Sequence, residues 1–258
     1  MKRLLLLATL PILSAVACDD PKDTKTTPSA TAATSVAVVP PPPASSEPSL
    51  PPPPKKKEWH CTQNVKVDFE GDSALEGQIR LKASKPPPAD VVTSDFAKVK
   101  SINLSTTPTD ELNPCIFPKL TQLHDLFIRN GELTDLSPLS SLTQMMTLVV
   151  NYVKVSDLKP IKALIHMDRL DISHTEVKDL EPIRSMVDLT ELSIDATPIT
   201  DVSVIATFTK LEKLSLANTA VKDLSPLKTL KNLKTLDISG TPLTDYSMIP
   251  SPKMKVKM

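Results

Sequence analysis

Four histidines (His60, His124, His166, His174), three cysteines (Cys18, Cys61, Cys115) and a set of evenly spaced aspartates offer the most chemistry in this chain of 258 residues. Zinc hydrolysis needs two imidazoles one helical turn apart with a carboxylate between them. No histidine here lies in an H-E-x-x-H or comparable spacing. Neither Cys61 nor Cys115 has a metal-ligand partner nearby in sequence, and no C-x-x-C exists to support thiol exchange. The four glycines, Gly71, Gly77, Gly131 and Gly240, are never closer together than six positions. Phosphate-cradling loops need glycines clustered within one turn, so both the Walker and the dinucleotide type are excluded. No nucleophile has a credible base and orienting group, so neither an enzyme activity nor a cofactor or metal is expected. With 30 basic and 30 acidic residues the net charge is zero. That balance argues against nucleic acid, whose partners must neutralise many phosphates.

The aspartates are the regular feature. Asp135, Asp157, Asp179, Asp201, Asp223 and Asp245 stand 22 residues apart. A calcium ladder would need a second acidic residue recurring at coordinating spacing, and none does. The expected role is structural, each carboxylate acting as an N-cap that accepts a backbone N–H at the start of a turn. In four copies a proline follows three residues later, as in D-L-S-P-L over Asp135–Leu139 and Asp223–Leu227. Proline has no N–H, so the residue before it, Ser137 in the first copy, is the expected donor.

The same period runs through the apolar residues. With Leu120 as position one, that position continues as Leu142, Leu164, Met186, Phe208 and Leu230. Position seven is leucine every time: Leu126, Leu148, Leu170, Leu192, Leu214 and Leu236. Position nine holds Ile128, Val150, Ile172, Ile194, Leu216 and Ile238, and positions four and fourteen are equally regular. Positions seven and nine alternate with polar residues, which marks a short strand with one buried face. One strand per 22 residues stacks into coils with a parallel sheet along one side, each coil burying its apolar face against its neighbours. Too few residues remain after the strand for a long return helix, and the prolines favour a 3-10 turn.

This unit resembles the leucine-rich repeat pattern L-x-x-L-x-L-x-x-N-x-L, and is most similar to the internalin-like bacterial type. The resemblance covers roughly residues 67–249. It implies an α/β solenoid with a parallel β-sheet on the concave side, short 3-10 turns on the convex side and a helical N-terminal cap. The chain departs from the pattern at position twelve, where asparagine is usual and Gly131, Val153, Thr175, Thr197, Thr219 and Thr241 stand. A hydroxyl offers fewer hydrogen bonds than an amide, so a thinner internal ladder is expected, weakest at the first two repeats.

The run F-E-G-D-S-A-L-E-G-Q-I-R resembles the helical cap of bacterial leucine-rich repeat proteins. Ser73-Ala74-Leu75-Glu76 reads as its capping box, with Leu75, Ile79 and Ala83 on one face. Thr93–Val99 is expected to form another turn, and Val99, Ile102 and Leu104 an irregular first coil. Cap and first coil occupy residues 59–119, six repeats 120–251, and an end strand 252–258 in which Met254, Val256 and Met258 alternate with Lys255 and Lys257. Cys61 precedes the cap and Cys115 follows the irregular coil. Pairing them would fasten the cap to the solenoid and contribute about 4 kcal/mol for a loop of this size.

At the N-terminus, Lys2 and Arg3 precede an apolar run from Leu4 to Leu13 that is too short to span a bilayer. With Ser14-Ala15-Val16-Ala17 it reads as a signal peptide over residues 1–17. Ala15-Val16-Ala17 before Cys18 resembles a bacterial lipobox, which implies acylation of Cys18 and a lipid anchor in the cell envelope. Ala15 stands where leucine is usual, a departure that leaves ordinary signal-peptidase cleavage open. The cysteine count favours lipidation, because acylating Cys18 leaves two thiols to pair outside the reducing cytoplasm. Inner and outer membrane both stay open. Residues 18–58 carry two four-proline runs, Pro40–Pro43 and Pro51–Pro54, and no aromatic residue. They read as a disordered tether, and Trp59 begins the folded part.

The exposed strand face is where function is expected. Phe127, Arg129, Met146, Val149, Asn151 and Tyr152 are expected there from the first two repeats, followed by Arg169, Asp171, Ser193, Asp195, Ser215 and Asp237. Aromatic and arginine side chains beside a polar remainder resemble the centre and rim of a protein interface. Asp168, Asp171, His174 and Asp195 could approach one another on adjacent coils, a metal-site alternative that ordinary solvated strand residues explain equally well. The reading is a non-enzymatic, monomeric, envelope-displayed module that binds a protein partner through the concave face, anchored to the membrane by its N-terminal lipid. A passive structural envelope protein and an inhibitor or immunity-like protein for a secreted enzyme are the alternatives.

Overall fold

Side chains at positions one, four, seven, nine and fourteen are buried in all six repeats, with Leu126, Leu148, Leu170 and Leu236 wholly inside. A residue buried at every second position along five residues leaves the backbone one solution, an extended strand with one face inward. In the computed structural model, which describes residues 57–61, 66–243, 247, 249 and 254–258, the repeats supply β2 (Asp125–Arg129), β3 (Thr147–Asn151), β4 (Arg169–Asp171), β5 (Glu191–Ser193), β6 (Lys213–Ser215) and β7 (Thr235–Asp237). The signal segment, Cys18, the tether up to residue 56 and Asp245 lie outside the described residues.

The strands pair in sequence order, all parallel, in a sheet of eight. Leucine meets leucine across every repeat junction, Leu126 beside Leu148, then Leu170, Leu192, Leu214 and Leu236. Two strands lie beyond the six repeats. β1 (Ser101–Leu104) comes from the irregular coil and sets Ile102 beside Leu126, and β8 (Lys255–Lys257) sets Val256 beside Leu236. Met254 is buried, but Met258 is 75% exposed, so the end strand does not alternate as far as its last residue.

Two further columns complete the core. Position seventeen (Leu136, Leu158, Leu180, Val202, Leu224) and position twenty (Leu139, Ile161, Ile183, Ile205, Leu227) are buried under the return turns. Those turns are 3-10 segments, Ser137–Leu139, Lys159–Ile161, Glu181–Ile183, Ser203–Thr207 and Ser225–Thr229, most with proline as the second residue. The recurring aspartates accept backbone N–H bonds, Asp135 from Ser137 at 2.7 Å, Asp157 from Lys159 at 2.8 Å and Asp179 from Glu181 at 2.8 Å. Asp201 and Asp223 do the same with Ser203 and Ser225. Each aspartate stands one residue outside the capping position, which Leu136 and its equivalents occupy with no side-chain bond. The contact is thus a two-residue aspartate turn rather than an N-cap, because the buried leucine must occupy the capping position itself. At Asp223 the Ser225 hydroxyl and N–H hold the carboxyl below its usual value.

Position twelve works within its own coil. Thr175, Thr197, Thr219 and Thr241 donate their hydroxyls to Ile172, Ile194, Leu216 and Ile238 carbonyls at 2.6–2.7 Å. No coil-to-coil ladder of the expected kind runs through these hydroxyls. Gly131 is there for a different reason: a Cβ would lie 2.2 Å from the Thr109 carbonyl oxygen of the preceding coil.

The cap closes the other end. Helix α1 (Ser73–Ala83) buries Leu75, Ile79 and Ala83. Its N-cap is Asp72, whose carboxylate accepts from Leu75 N–H at 3.1 Å, rather than the capping box expected on Ser73. Glu76 is turned instead to Arg80, 2.7 Å away and one turn along. Gln78 accepts the Asn103 N–H at 3.3 Å, so the helix covers part of the outer edge of β1. Asp95, nearly buried in the 3-10 turn Thr93–Lys98, accepts from Val92 N–H at 3.1 Å and faces Lys98 and Lys85. Contacts begin ahead of Trp59: Lys57 lies 3.9 Å from the Trp59 ring centroid, and Glu111 accepts from both residues. Cys61 and Cys115 are joined by a disulfide, their Cα atoms 5.1 Å apart.

Two outcomes are expected. Replacing both Cys61 and Cys115 with serine should lower unfolding free energy by about 4 kcal/mol, read from urea titrations of oxidised and variant protein. The Val92 N–H, then Lys98 and Lys85, hold the Asp95 carboxyl below its ordinary 3.8. Its contribution is therefore complete above that value and disappears as pH falls through the lowered folded value. Asp95→Asn should lose less stability than the unmodified chain as pH is taken from neutral to about 2, measured by thermal melts.

Candidate functional site

Positions six, eight and ten of each repeat point away from the core, and along the sheet they divide into two zones. Phe127 and Val149 are paired neighbours on β2 and β3, and each is half-buried. Arg129 is exposed at the end of β2 and pairs with Asn151. From β4 onward the equivalent positions hold Asp171, Ser173, Ser193, Asp195, Ser215, Asp237 and Ser239, an almost wholly polar strip.

That strip satisfies its own hydrogen bonds. Asp171 accepts from Asn151 Nδ2 at 3.1 Å and from Ser173 N–H at 3.0 Å. The hydroxyls of Ser173 and Ser193 are 2.9 Å apart. Asp195 accepts from the Ser215 hydroxyl, from Ala217 N–H at 2.8 Å and from the Ser193 hydroxyl at 3.3 Å. At Asp237 burial opposes the charge, but Ser239 and the Lys257 ammonium 2.9 Å away outweigh it and hold the carboxyl below its usual value. Along position six, Glu191 stands between Arg169 and Lys213, with Arg169 Nε at 3.6 Å. With its acceptors occupied internally, this half of the face has little to gain from a new polar contact.

Two expected contact residues are elsewhere. Asn151 is not exposed but 3% accessible, because its amide is clamped between strands: Arg129 Nε donates to its oxygen at 3.4 Å and its nitrogen donates to Asp171. Its side chain is thus held within the sheet, between Arg129 and Asp171. Met146 lies one residue ahead of β3, in phase with inward Leu148, where its N–H and carbonyl join His124 to Asp168. Its side chain is 46% exposed, on the lip of the sheet rather than on its face. The four residues of the metal alternative do not converge either. Asp168 accepts the Thr190 hydroxyl at 2.7 Å, Asp171 and Asp195 are engaged as above, and His174 stacks on Tyr152. Among the described residues no group of three or more histidine, cysteine, aspartate or glutamate side chains is placed to hold a metal ion.

Position eleven, which sequence periodicity did not single out, shapes the rim. Asn130, Tyr152, His174, Ala196, Asn218 and Gly240 all have φ between 50° and 70°, the left-handed region. Each of Asn130, Tyr152, His174, Ala196 and Asn218 donates its N–H to the position-ten carbonyl of the next coil, so the turn extends the sheet ladder by one bond. Glycine and asparagine tolerate this conformation, while a bulky side chain is uncommon in it. Their appearance in the first and the last two copies, at Asn130, Asn218 and Gly240, was a signal that could have revealed the turn. Tyr152 and His174 break that preference on adjacent coils. Their rings stack with centroids 4.0 Å apart and planes 12° from parallel, and the Arg129 guanidinium lies 5.9 Å from the Tyr152 ring. Tyr152 is 48% exposed. Beside the pair an open hollow of about 450 Å³ is lined by Glu132, Lys154, Glu176 and Ala196 among others.

Comparison with known proteins agrees with this geometry. A family model described as leucine-rich repeats (2 copies) matches residues 209–251. Internalin C2 of Listeria monocytogenes superposes with a TM-score of 0.66 at 26% identity, over 71% of this chain and 81% of that one. The chain folds as a leucine-rich repeat solenoid. A second Listeria monocytogenes internalin, inlF, gives a TM-score of 0.63 at 22% identity, over 68% of this chain, and the match spans only 52% of its length. A leucine-rich repeat protein of Leptospira interrogans gives 0.54 at 18% identity, over 65% of this chain and 52% of that one. No curated protein matches the sequence. In the described part of this leucine-rich repeat chain, no helix is long and apolar enough to cross a membrane.

Strain at the rim is measurable. Ala196→Gly removes a left-handed alanine and should raise stability by about 1 kcal/mol in urea titration. Tyr152→Asn places a tolerated residue in the same turn and should lower stability by less than about 1 kcal/mol despite losing the stack.

Proposed function

We propose that this chain is a non-enzymatic protein-binding module, displayed on the bacterial cell envelope, that captures a protein partner on the sheet face of its first repeats. One observation carries the reading. Phe127, Val149 and Tyr152 sit on two adjacent coils beside an exposed arginine, while the rest of the face is internally hydrogen-bonded. Protein interfaces concentrate their binding energy in such aromatic and arginine clusters, surrounded by polar residues that exclude water. Phe127, Val149, Tyr152 and Arg129 are assigned to contact, Asn151 and Asp171 to holding Arg129, and Arg169 and Met146 to the periphery. No cofactor or nucleic acid is required, and the module acts as a monomer.

Display follows from the N-terminal reading. Residues 1–17 direct export, Cys18 receives the lipid, and residues 18–58 separate the module from the membrane. Several acyl chains on one terminus hold a protein durably, whereas one is marginal. The proposed pairing of Cys61 with Cys115 in an oxidising compartment agrees with that route.

The test is affinity capture from envelope extracts and culture medium. The intact chain is compared with a Phe127→Asp/Tyr152→Asn double variant of matched thermal stability. A protein retained by the unmodified chain and lost from the variant supports the face. Equal recovery by both removes Phe127 and Tyr152 from the interface, and no retained protein favours a passive structural role.

A further inference from the structure

The stack of Tyr152 on His174 is one end-to-end column with a distinct chemistry at each end. On the Tyr152 side the chain provides its own planar cation, Arg129, against the ring. On the His174 side the next residue of the column is Ala196, in the same left-handed conformation, which offers only a methyl group. Successive coils are separated by the ordinary strand spacing of about 4.8 Å, close to the 4.0 Å between the two rings. The open hollow runs along four coils, from Gly131 and Glu132 to Ala196, and at its Ala196 end no ring of the chain covers the second face of His174. Its charged lining is two carboxylates and one ammonium, Glu132, Glu176 and Lys154. Lys154 lies 4.0 Å from Glu176, a loose surface pair with both side chains more than half exposed.

We propose that the Ala196 end of this hollow is a socket for an arginine side chain of the protein partner, its guanidinium stacked on the free face of His174 beside Ala196 and its charge met by Glu176. Arginine fits for three reasons. Guanidinium is planar and stacks on aromatic faces, where an ammonium cannot lie flat. It is only weakly hydrated, so entering a rim position costs less than for lysine. Glu176, whose own Lys154 partner is 4.0 Å away and mostly exposed, favours a cation over a neutral aromatic ring. The assignment deepens the protein-binding reading, which it rests on, and moves one anchor from the centre of the face to its rim. It also accounts for two bulky left-handed residues in consecutive coils. Such strain persists where the surrounding structure holds it and is commonly found at binding sites.

The test uses a probe that needs no knowledge of the partner. The intact, isotope-labelled chain is titrated with N-acetyl-arginine amide and, separately, with N-acetyl-lysine amide, following the ring protons of His174 and Tyr152 and the Ala196 methyl by NMR. Saturable shifts at all three groups are expected with arginine at millimolar concentrations, and about five-fold weaker binding with lysine. Ala196→Tyr fills the socket with a ring of the chain's own, in a turn that already accepts tyrosine at position 152, and should abolish the response. His174→Asn keeps a residue that tolerates the left-handed turn and should abolish it as well. Absence of saturable shifts at His174, equal binding of lysine, or an undiminished response in either variant would overturn the socket. Those results leave capture through Phe127 and Tyr152 untouched, so failure of the socket is distinguishable from failure of the binding reading.

Discussion

A leucine at position seven can leave water only against the leucine of the next coil. That single constraint organises the molecule. A coil of 22 residues has one strand, one left-handed turn and one 3-10 turn, and on its own it cannot enclose its apolar side chains. Parallel register brings Leu126, Leu148, Leu170, Leu192, Leu214 and Leu236 into one column. The other buried columns follow, because the path between strands has the same length each time. The same constraint explains why both ends carry irregular pieces. Ile102 and Val256 repeat the leucine's place in β1 and β8 at the two margins of the sheet.

The polar side chains serve this stack before they serve anything else. Aspartates at position sixteen tie the start of each return turn, and position-twelve threonines tie their own coil just after the strand. Both contacts are local, within two or three residues, so they set the shape of a coil rather than the attraction between coils. Adhesion between coils comes from apolar burial and the parallel ladder. The disulfide joins the segment before the cap helix to the loop after β1, fixing the irregular region at the cap end of the sheet.

Against that background the face of the first repeats is the exception. From β4 onward Asp171, Ser173, Ser193, Asp195, Ser215, Asp237 and Ser239 all have partners within the protein. At β2 and β3, bulky side chains project beside a left-handed tyrosine and histidine that local preference would replace with glycine or asparagine. Sequences depart from local preference where function demands it. The departure, on the second and third repeats, overlaps the apolar pair Phe127 and Val149 on the first and second, and this overlap locates the candidate surface.

Periodicity alone determined the solenoid, its parallel sheet, its 3-10 turns and the core columns at positions one, four, seven, nine and fourteen. Those features depend on residue type at a fixed spacing, and spacing is a one-dimensional property. The aspartates were legible as turn-formers because proline removes the competing donor. What the tertiary structure decided concerns neighbours from different coils. Asn151 reads as an exposed strand residue in sequence, yet Arg129 and Asp171 on the adjoining strands bury it. Gly131 reads as a gap in a ladder, yet the Thr109 backbone requires it. Tyr152 and His174 are 22 positions apart in the chain and become one stacked pair only when the coils close over each other. A site made between coils depends on which side chain lies above which, and that is settled by register and turn conformation rather than by composition.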